Sequence, residues 1–271
     1  MASATTGPAQ YRTKFGEQTI AGSNYALTKL GIDRAHCFLK IEEYLILCVP
    51  FQLGFNRSIF LASLSKQELV FFQRYLNAIV GLSIGLNPYK SSQPVKFFLH
   101  CTLSTIGQVK NRENVGLFVV DYKSSPDEMV SILGGFMEAQ ERLRTQYEDY
   151  GMTSIRVTSD VARMMGYNLY ATVGEANVAP RRIQVFSLSS KSIEHMEAAG
   201  APVRKPGTPV VYQLFFKKFR IAVNGTITAA AALPQGIIRT TANLEFSPEL
   251  VEILDEYWYS TRPNPSQKPF H

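Results

Sequence analysis

Arginine is the residue type whose placement in this chain speaks most of chemistry. Arg142, Arg144 and Arg156 flank the middle of the sequence, and Arg181 and Arg182 open an apolar run shortly after it. A guanidinium presents a planar fork that grips phosphate through paired hydrogen bonds and stacks on a nucleobase, which an ammonium cannot do. Gathered between two modules, these five would make a site for an anionic ligand that carries a base.

Catalytic constellations are missing. His36, His100, His195 and His271 sit in unrelated contexts, none with a carboxylate or cysteine at motif spacing. His100 beside Cys101 in an apolar run reads as a core pair rather than a nucleophile and base. No phosphate loop, nucleophile elbow, zinc-protease helix or dinucleotide fingerprint occurs. Gly81 to Gly85 lacks the lysine a phosphate loop needs and reads as a helix stop. Of the acid pairs, Glu42-Glu43 falls at a strand edge or turn and Asp127-Glu128 at a helix start, so a hydrolase or transferase is disfavoured and no enzyme is expected. Cys37, Cys48 and Cys101 are odd in number and lack metal-ligand spacing, which points to buried reduced thiols and no metal.

The 271 residues suffice for two modules of ordinary size. With 45% hydrophobic and 18% charged residues and no apolar run long enough to span a bilayer, the chain reads as globular and cytoplasmic. Met1 to Gln10 lacks the basic start and apolar core of a secretory signal. A net charge of +6 allows an anionic partner, though the basic residues are dispersed.

Two echoes divide the chain. Arg57 to Leu64 and Arg181 to Leu188 align at one offset, matching Ile59 with Ile183, Ser63 with Ser187 and Leu64 with Leu188. Val115 to Val120 followed by Ser125-Pro126-Asp127 is echoed by Ala242 to Phe246 followed by Ser247-Pro248-Glu249 at nearly the same offset. Such self-similarity predicts two copies of one module. The expected boundaries are a disordered tail over 1–20, a first domain over 21–150, a second over 151–259 and a flexible tail over 260–271.

Within the first domain, Cys37 to Phe55 and Arg57 to Leu64 predict strands. Ser65 with Glu68 forms a capping box that opens a helix running to about Val80. Val95 to Gln108 and Asn114 to Val120 are strands joined by a turn at Lys110 to Glu113, and Ser125-Pro126 starts an amphipathic helix. In the second, Ser159 to Met165 predicts a short helix, Tyr167 to Val173 and Arg182 to Leu188 strands, and Ser190 to Ala199 a helix. Val210 to Val223 with Thr226 to Ala232 predicts a hairpin turning at Asn224-Gly225, and Pro248 to Trp258 predicts the closing helix. The fold class expected is mainly β (α+β), as two tandem small antiparallel barrels, each with an internal helix and a C-terminal helix.

The ending Gly116-Leu117-Phe118-Val119-Val120, then Ser125-Pro126-Asp127-Glu128 and a helix, resembles the close of a PilZ domain, and Asn243 to Glu249 resembles it again. Taken together the chain is similar to the two-module PilZ-type proteins of spirochaetes. The resemblance implies a non-catalytic receptor or adaptor linked to cyclic di-guanylate (cyclic di-GMP) signalling and motility, with a protein partner, no cofactor, and cyclic di-GMP as a candidate ligand. The family's R-x-x-x-R and [D/N]-x-S-x-x-G motifs are absent: Arg142, Arg144, Arg156 and Arg182 have no arginine four places on, and Asn56-Arg57-Ser58-Ile59-Phe60-Leu61 lacks the glycine. The alternative reading is a nucleic-acid-binding small barrel, resting on the interleaved run Phe215 to Arg220. Strand alternation divides that run between two faces, which disfavours nucleic acid as a partner.

Overall fold

The computed structural model describes residues 7–88, 94–151, 153–176, 178–217 and 220–261. The chain divides into two compact units, Met1–Ala139 and Gln140–His271.

The first unit begins with α1 (Pro8–Phe15), β1 (Thr19–Ala21) and α2 (Asn24–Lys29). Next come β2 (Asp33–Ile41), β3 (Tyr44–Leu47), β4 (Val49–Gly54), β5 (Arg57–Ser63), α3 (Lys66–Phe72), β6 (Ile79–Leu86), β7 (Val95–Gln108), β8 (Val115–Tyr122) and α4 (Asp127–Tyr150), whose last turns belong to the second unit. The eight strands form one antiparallel sheet in the order β1-β4-β5-β8-β7-β6-β2-β3, rolled so that β3 lies beside β5. Alternation supplies the inward face: Leu39, Phe60, Leu82, Leu99, Leu103, Phe118 and Val120 are buried, and Met129, Val130 and Leu133 of α4 join them.

The segment expected as a mobile tail is instead structured from Pro8 onward. Phe15 is fully buried and Tyr11 nearly so. Gly134 of α4 makes room for Tyr11, since a Cβ there would stand 2.3 Å from Tyr11 Cγ. Residues 1–6 lie outside the described residues, as do residues 262–271 of the expected C-terminal tail.

The Ser65 capping box forms, with Ser65 Oγ accepting from Glu68 N and Ser65 N donating to Glu68 Oε2 at 2.7 Å. The helix it opens stops at Phe72, well short of Val80. A tight turn over Gln73–Tyr75 and a left-handed Asn77 (φ 66°) lead into β6. Gly81 is therefore in a strand, where its missing side chain admits the Phe98 ring from β7: a Cβ would lie 2.5 Å from Phe98 Cζ.

The second unit contains β9 (Ile155–Arg156), α5 (Ser159–Met165), β10 (Tyr167–Gly174), β11 (Arg181–Leu188), β12 (Ser192–Glu197), β13 (Pro209–Phe216), β14 (Arg220–Ala232), β15 (Ile238–Leu244) and α6 (Pro248–Thr261). The order β10-β13-β14-β15-β12-β11 is closed by a pairing of β10 with β11, giving a six-stranded antiparallel barrel with β9 appended to β11. Closure removes the exposed edges that an open sheet would present. Val173, Ile193, Tyr212, Leu214 and Val223 fill the interior, and Leu250 and Leu254 of α6 pack against it.

Two expectations in this unit are corrected. Ser190 to Ala199 is not a helix: β12 runs through it, pairing with β11 and β15, so that alternation buries Ile193, His195 and Glu197. The unit's internal helix is α5. Asn224-Gly225 does not turn a hairpin either, because both residues lie inside the continuous β14, Gly225 opposite Val210 and Leu244. A Cβ on Gly225 would approach Asn243 O to 2.8 Å, so the glycine serves close strand approach.

The two echoes differ in their outcome. The Ser-Pro junctions are alike in element order, each ending a strand and opening a helix, but Ser247 Oγ accepts from Leu250 N whereas Ser125 Oγ donates to Phe55 O. The β5 and β11 echo is not, because α3 follows β5 and a further strand follows β11.

Candidate functional site

All five candidate arginines lie in the second unit, at separate places. Arg142 is exposed on α4, and Arg144 rests 4.5 Å above the Phe246 ring. Arg181 and Arg182 pair with Val173 and Thr172, where Arg181 Nη1 reaches Gly200 O at 3.5 Å and Arg182 lies 5.2 Å over the Tyr170 ring. Arg156 pairs with Ser187, at the opposite end of β11. Five strand steps separate Arg182 from Ser187, roughly 17 Å.

The Arg156 end carries the richest chemistry. Alternation after the buried Ile183 and Val185 turns Phe186 out of the barrel, a bulge between Val185 and Ser187 returns Leu188 to the core, and two guanidinium groups converge on the Phe186 ring, Arg156 at 5.2 Å and Arg239 at 5.9 Å. Glu194 holds Arg239 by an ion pair and accepts from Ser187 Oγ at 3.3 Å. The hydrogen bond from Arg239 to Glu194, with their attraction, raises the guanidinium further above its ordinary value. Two cations around one aromatic ring can bind an anion that carries a planar group. Arg239 escaped the sequence reading because it comes from β15, and only sheet order brings it to β11.

β11 ends in a serine turn. Ser189 Oγ accepts from Lys191 N at 3.2 Å and Ser192 N at 2.9 Å, and Ser190 Oγ donates to Tyr147 O at 2.6 Å. Lys191 pairs with Glu148 and lies 5.3 Å over Tyr147, so the turn is anchored to the end of α4. Ser187-Leu188-Ser189-Ser190-Lys191-Ser192 follows the spacing of [D/N]-x-S-x-x-G, keeping the central serine and placing serine at both ends. The turn could have been found by searching for the spacing alone.

Inside the barrel, His195, Glu197 and Arg204 form a buried polar chain that sequence reasoning also missed. His195 Nε2 lies 3.4 Å from Glu197 Oε1, Arg204 Nη1 donates to the same oxygen, and Arg204 Nε donates to Glu175 at 2.7 Å. Burial pushes the Glu197 carboxyl up, but the hydrogen bonds from His195 and Arg204 outweigh it and hold the group below its ordinary value. In the first unit His36 likewise gains a carboxylate, Asp33 Oδ2 at 2.5 Å, with Lys96 Nζ 2.8 Å from its other nitrogen. Among the described residues no group of three or more histidines, cysteines or carboxylates could hold a metal ion.

The run Phe215 to Arg220 is not one strand. β13 ends at Phe216 and β14 begins at Arg220, which pairs back with Phe215, so the run spans the tip of a hairpin. Lys218 and Phe219 lie outside the described residues. No helix among the described residues is long and apolar enough to cross a membrane.

Residues 9–140 match the family model of the PilZN3 domain. No curated protein matches the chain. Among solved structures, the PlzA protein of Borreliella burgdorferi in complex with c-di-GMP is similar at 14% identity and a TM-score of 0.46, covering 92% of this chain and 97% of that one. YcgR of Escherichia coli in complex with c-di-GMP is similar at 10% identity and a TM-score of 0.30 over 94% and 91%. The inhibitor of motility from Bacillus subtilis is similar at 9% identity and a TM-score of 0.31 over 86% and 100%. The first unit thus carries the match to the PilZN3 domain family over residues 9–140, and the second closes as a six-stranded barrel.

Proposed function

We propose that this chain is a non-catalytic cytoplasmic signalling adaptor of PilZ type, linked to cyclic di-GMP and to control of motility, whose output is contact with another protein. The PilZN3 match over residues 9–140 carries the reading. The Arg156, Phe186 and Arg239 face supports it, because it offers two guanidinium groups and an aromatic ring to a ligand made of phosphates and bases. Its departures set the affinity. Serine replaces the acid and the glycine of the ligand motif at Ser187 and Ser192, and Glu194 competes for Arg239.

Titration with cyclic di-GMP by calorimetry tests the reading. We expect a dissociation constant weaker than about 1 μM, less than roughly 8 kcal/mol of binding free energy. Tighter binding would make the chain a full receptor rather than an adaptor with a degenerate site. Appearance of a linear dinucleotide in the same samples would overturn the non-catalytic assignment.

A further inference from the structure

We infer that the outward face of β3, β4, β5 and β8 in the first unit is a docking surface for a second copy of this chain. Leu45 to Phe51 runs without a charge, amide or hydroxyl in any side chain. An antiparallel strand with one face on the core and one in water alternates apolar with polar, whereas apolar residues on both faces mark a sheet that is covered on both. Ile46 and Cys48 point into the core, yet the residues between and beyond them stay in water: Leu45 is 64% exposed, Leu47 66%, Val49 37% and Phe51 47%. Strand register carries the face sideways. Val49 stands beside Leu61 and Leu61 beside Leu117, while Gln52 stands beside Ile59 and Ile59 beside Val119. These side chains point outward, because Phe60, Ala62, Phe118 and Val120, which alternate with them, are buried.

Charge, shape and area select the occupant. β4 carries no charged residue, nor do β5 from Ser58 to Ser63 and β8 from Val115 to Val120, although the whole chain carries +6. Arg57 and Asp121, the next row, pair with each other at 2.5 Å. Lys40, beside Leu45 on β2, and Glu43, before Tyr44, stand at the rim with one charge of each sign. The face therefore draws neither a charged peptide nor the anionic headgroups of a membrane. An apolar sheet face is complemented by another, the two packing about 10 Å apart with their side chains interdigitated. A two-fold axis supplies such a face with the same row spacing, and two uncharged faces meet without repulsion. From Leu45 to Phe51 and across three strands the face measures roughly 20 Å by about 14 Å. That is less than the roughly 800 Å² each partner gives to a stable interface, so the dimer is weak and forms only as concentration rises. The surface stands whether or not cyclic di-GMP binds in the second unit.

The test is sedimentation velocity on the intact chain across a range of concentrations, with a dimer expected at a dissociation constant on the order of 100 μM. Leu47→Lys should weaken association at least about tenfold by placing a charge at the contact. Val211→Lys, the same change at an exposed valine of the second unit, should leave association unchanged. Raised sodium chloride should not weaken the dimer, since no charge holds it. Amide NMR of the unaltered chain reads the same face without a substitution, as concentration-dependent shifts at Leu47, Val49, Leu61 and Leu117. A monomer at every concentration overturns the proposal, as does an equal effect of the two lysine substitutions or a dimer that salt dissolves. Pelleting of the chain with phosphatidylcholine vesicles, lost in Leu47→Lys, would make lipid the occupant and overturn the second copy.

Discussion

Arg204 donates to Glu197 inside the second barrel with both side chains almost wholly removed from water, 4% and 1% exposed. Glu175 holds the other edge of the same guanidinium, so the loop between β12 and β13 is tied to the loop between β10 and β11 through one buried charge. Breaking such a pair from one side strands the remaining charge, which costs about 3–5 kcal/mol.

Arg204→Met should therefore destabilise the second unit by about 3–5 kcal/mol, and Arg204→Met with Glu197→Gln by clearly less, since the double change leaves no buried charge unpaired. Urea unfolding followed by tryptophan fluorescence isolates this unit, because Trp258 is the sole tryptophan and packs against its core. Equal losses in the single and double variants would show that the pair is not what holds the loops.

The pair also sets an acid limit. The folded-state value of Glu197 lies below its ordinary 4.5, so the ionised carboxylate adds stability that is fully present above about pH 4.5 and is lost as pH falls through the folded value. The Trp258 unfolding midpoint should fall with pH in that window, and Glu197→Gln should flatten the fall. An unchanged slope in the variant would assign the acid limit to other groups.

Gly134→Ala tests the packing of the N-terminal helix. On an exposed helix the change would stabilise by up to about 1 kcal/mol. Here the added Cβ meets Tyr11 Cγ at 2.3 Å, so overpacking should win and the first unit should lose about 1–3 kcal/mol. A gain in its thermal midpoint would mean that α1 does not pack on α4 in solution.

Paired arginine substitutions separate the two ends of β11. Each charge-assisted contact to phosphate is worth about 1.5–3 kcal/mol. Arg156→Ala with Arg239→Ala should thus weaken cyclic di-GMP binding by at least about a hundredfold. Arg181→Ala with Arg182→Ala should change it by less than about threefold. The reverse order of effects, with both folds intact by circular dichroism, would place the ligand at the β10 end of the strand.

The three thiols should be silent until the first unit unfolds. Burial, aided by the Asp121 charge, pushes Cys101 up to about 12, and the hydrogen bond shared with Cys37 together with burial raises Cys48. Thiolate is the reactive form. Dithionitrobenzoate at pH 8 should release no colour from native protein and three equivalents in denaturant, and rapid native reaction would contradict the buried placement.

Signals confined to a few neighbouring residues were readable in the chain itself. The Ser65 and Glu68 capping box and the Ser247 cap of α6 depend on bonds between residues three apart, and the strand from Val95 to Gln108 and the Ser-Pro start of α4 showed in local composition. The mainly β character followed from alternation in the same way. What the chain could not reveal depends on partners distant in sequence. Ser190 to Ala199 has helical composition, but β11 and β15 offer its backbone a sheet on both sides, and tertiary pairing overrides propensity. Asn224-Gly225 has the composition of a hairpin turn, yet β13 and β15 pair straight across it. The arginines were visible as a residue type, and Arg156 was named. Its partner Arg239 was not, because the order of strands in the sheet, rather than any local pattern, sets β9, β11, β12 and β15 side by side.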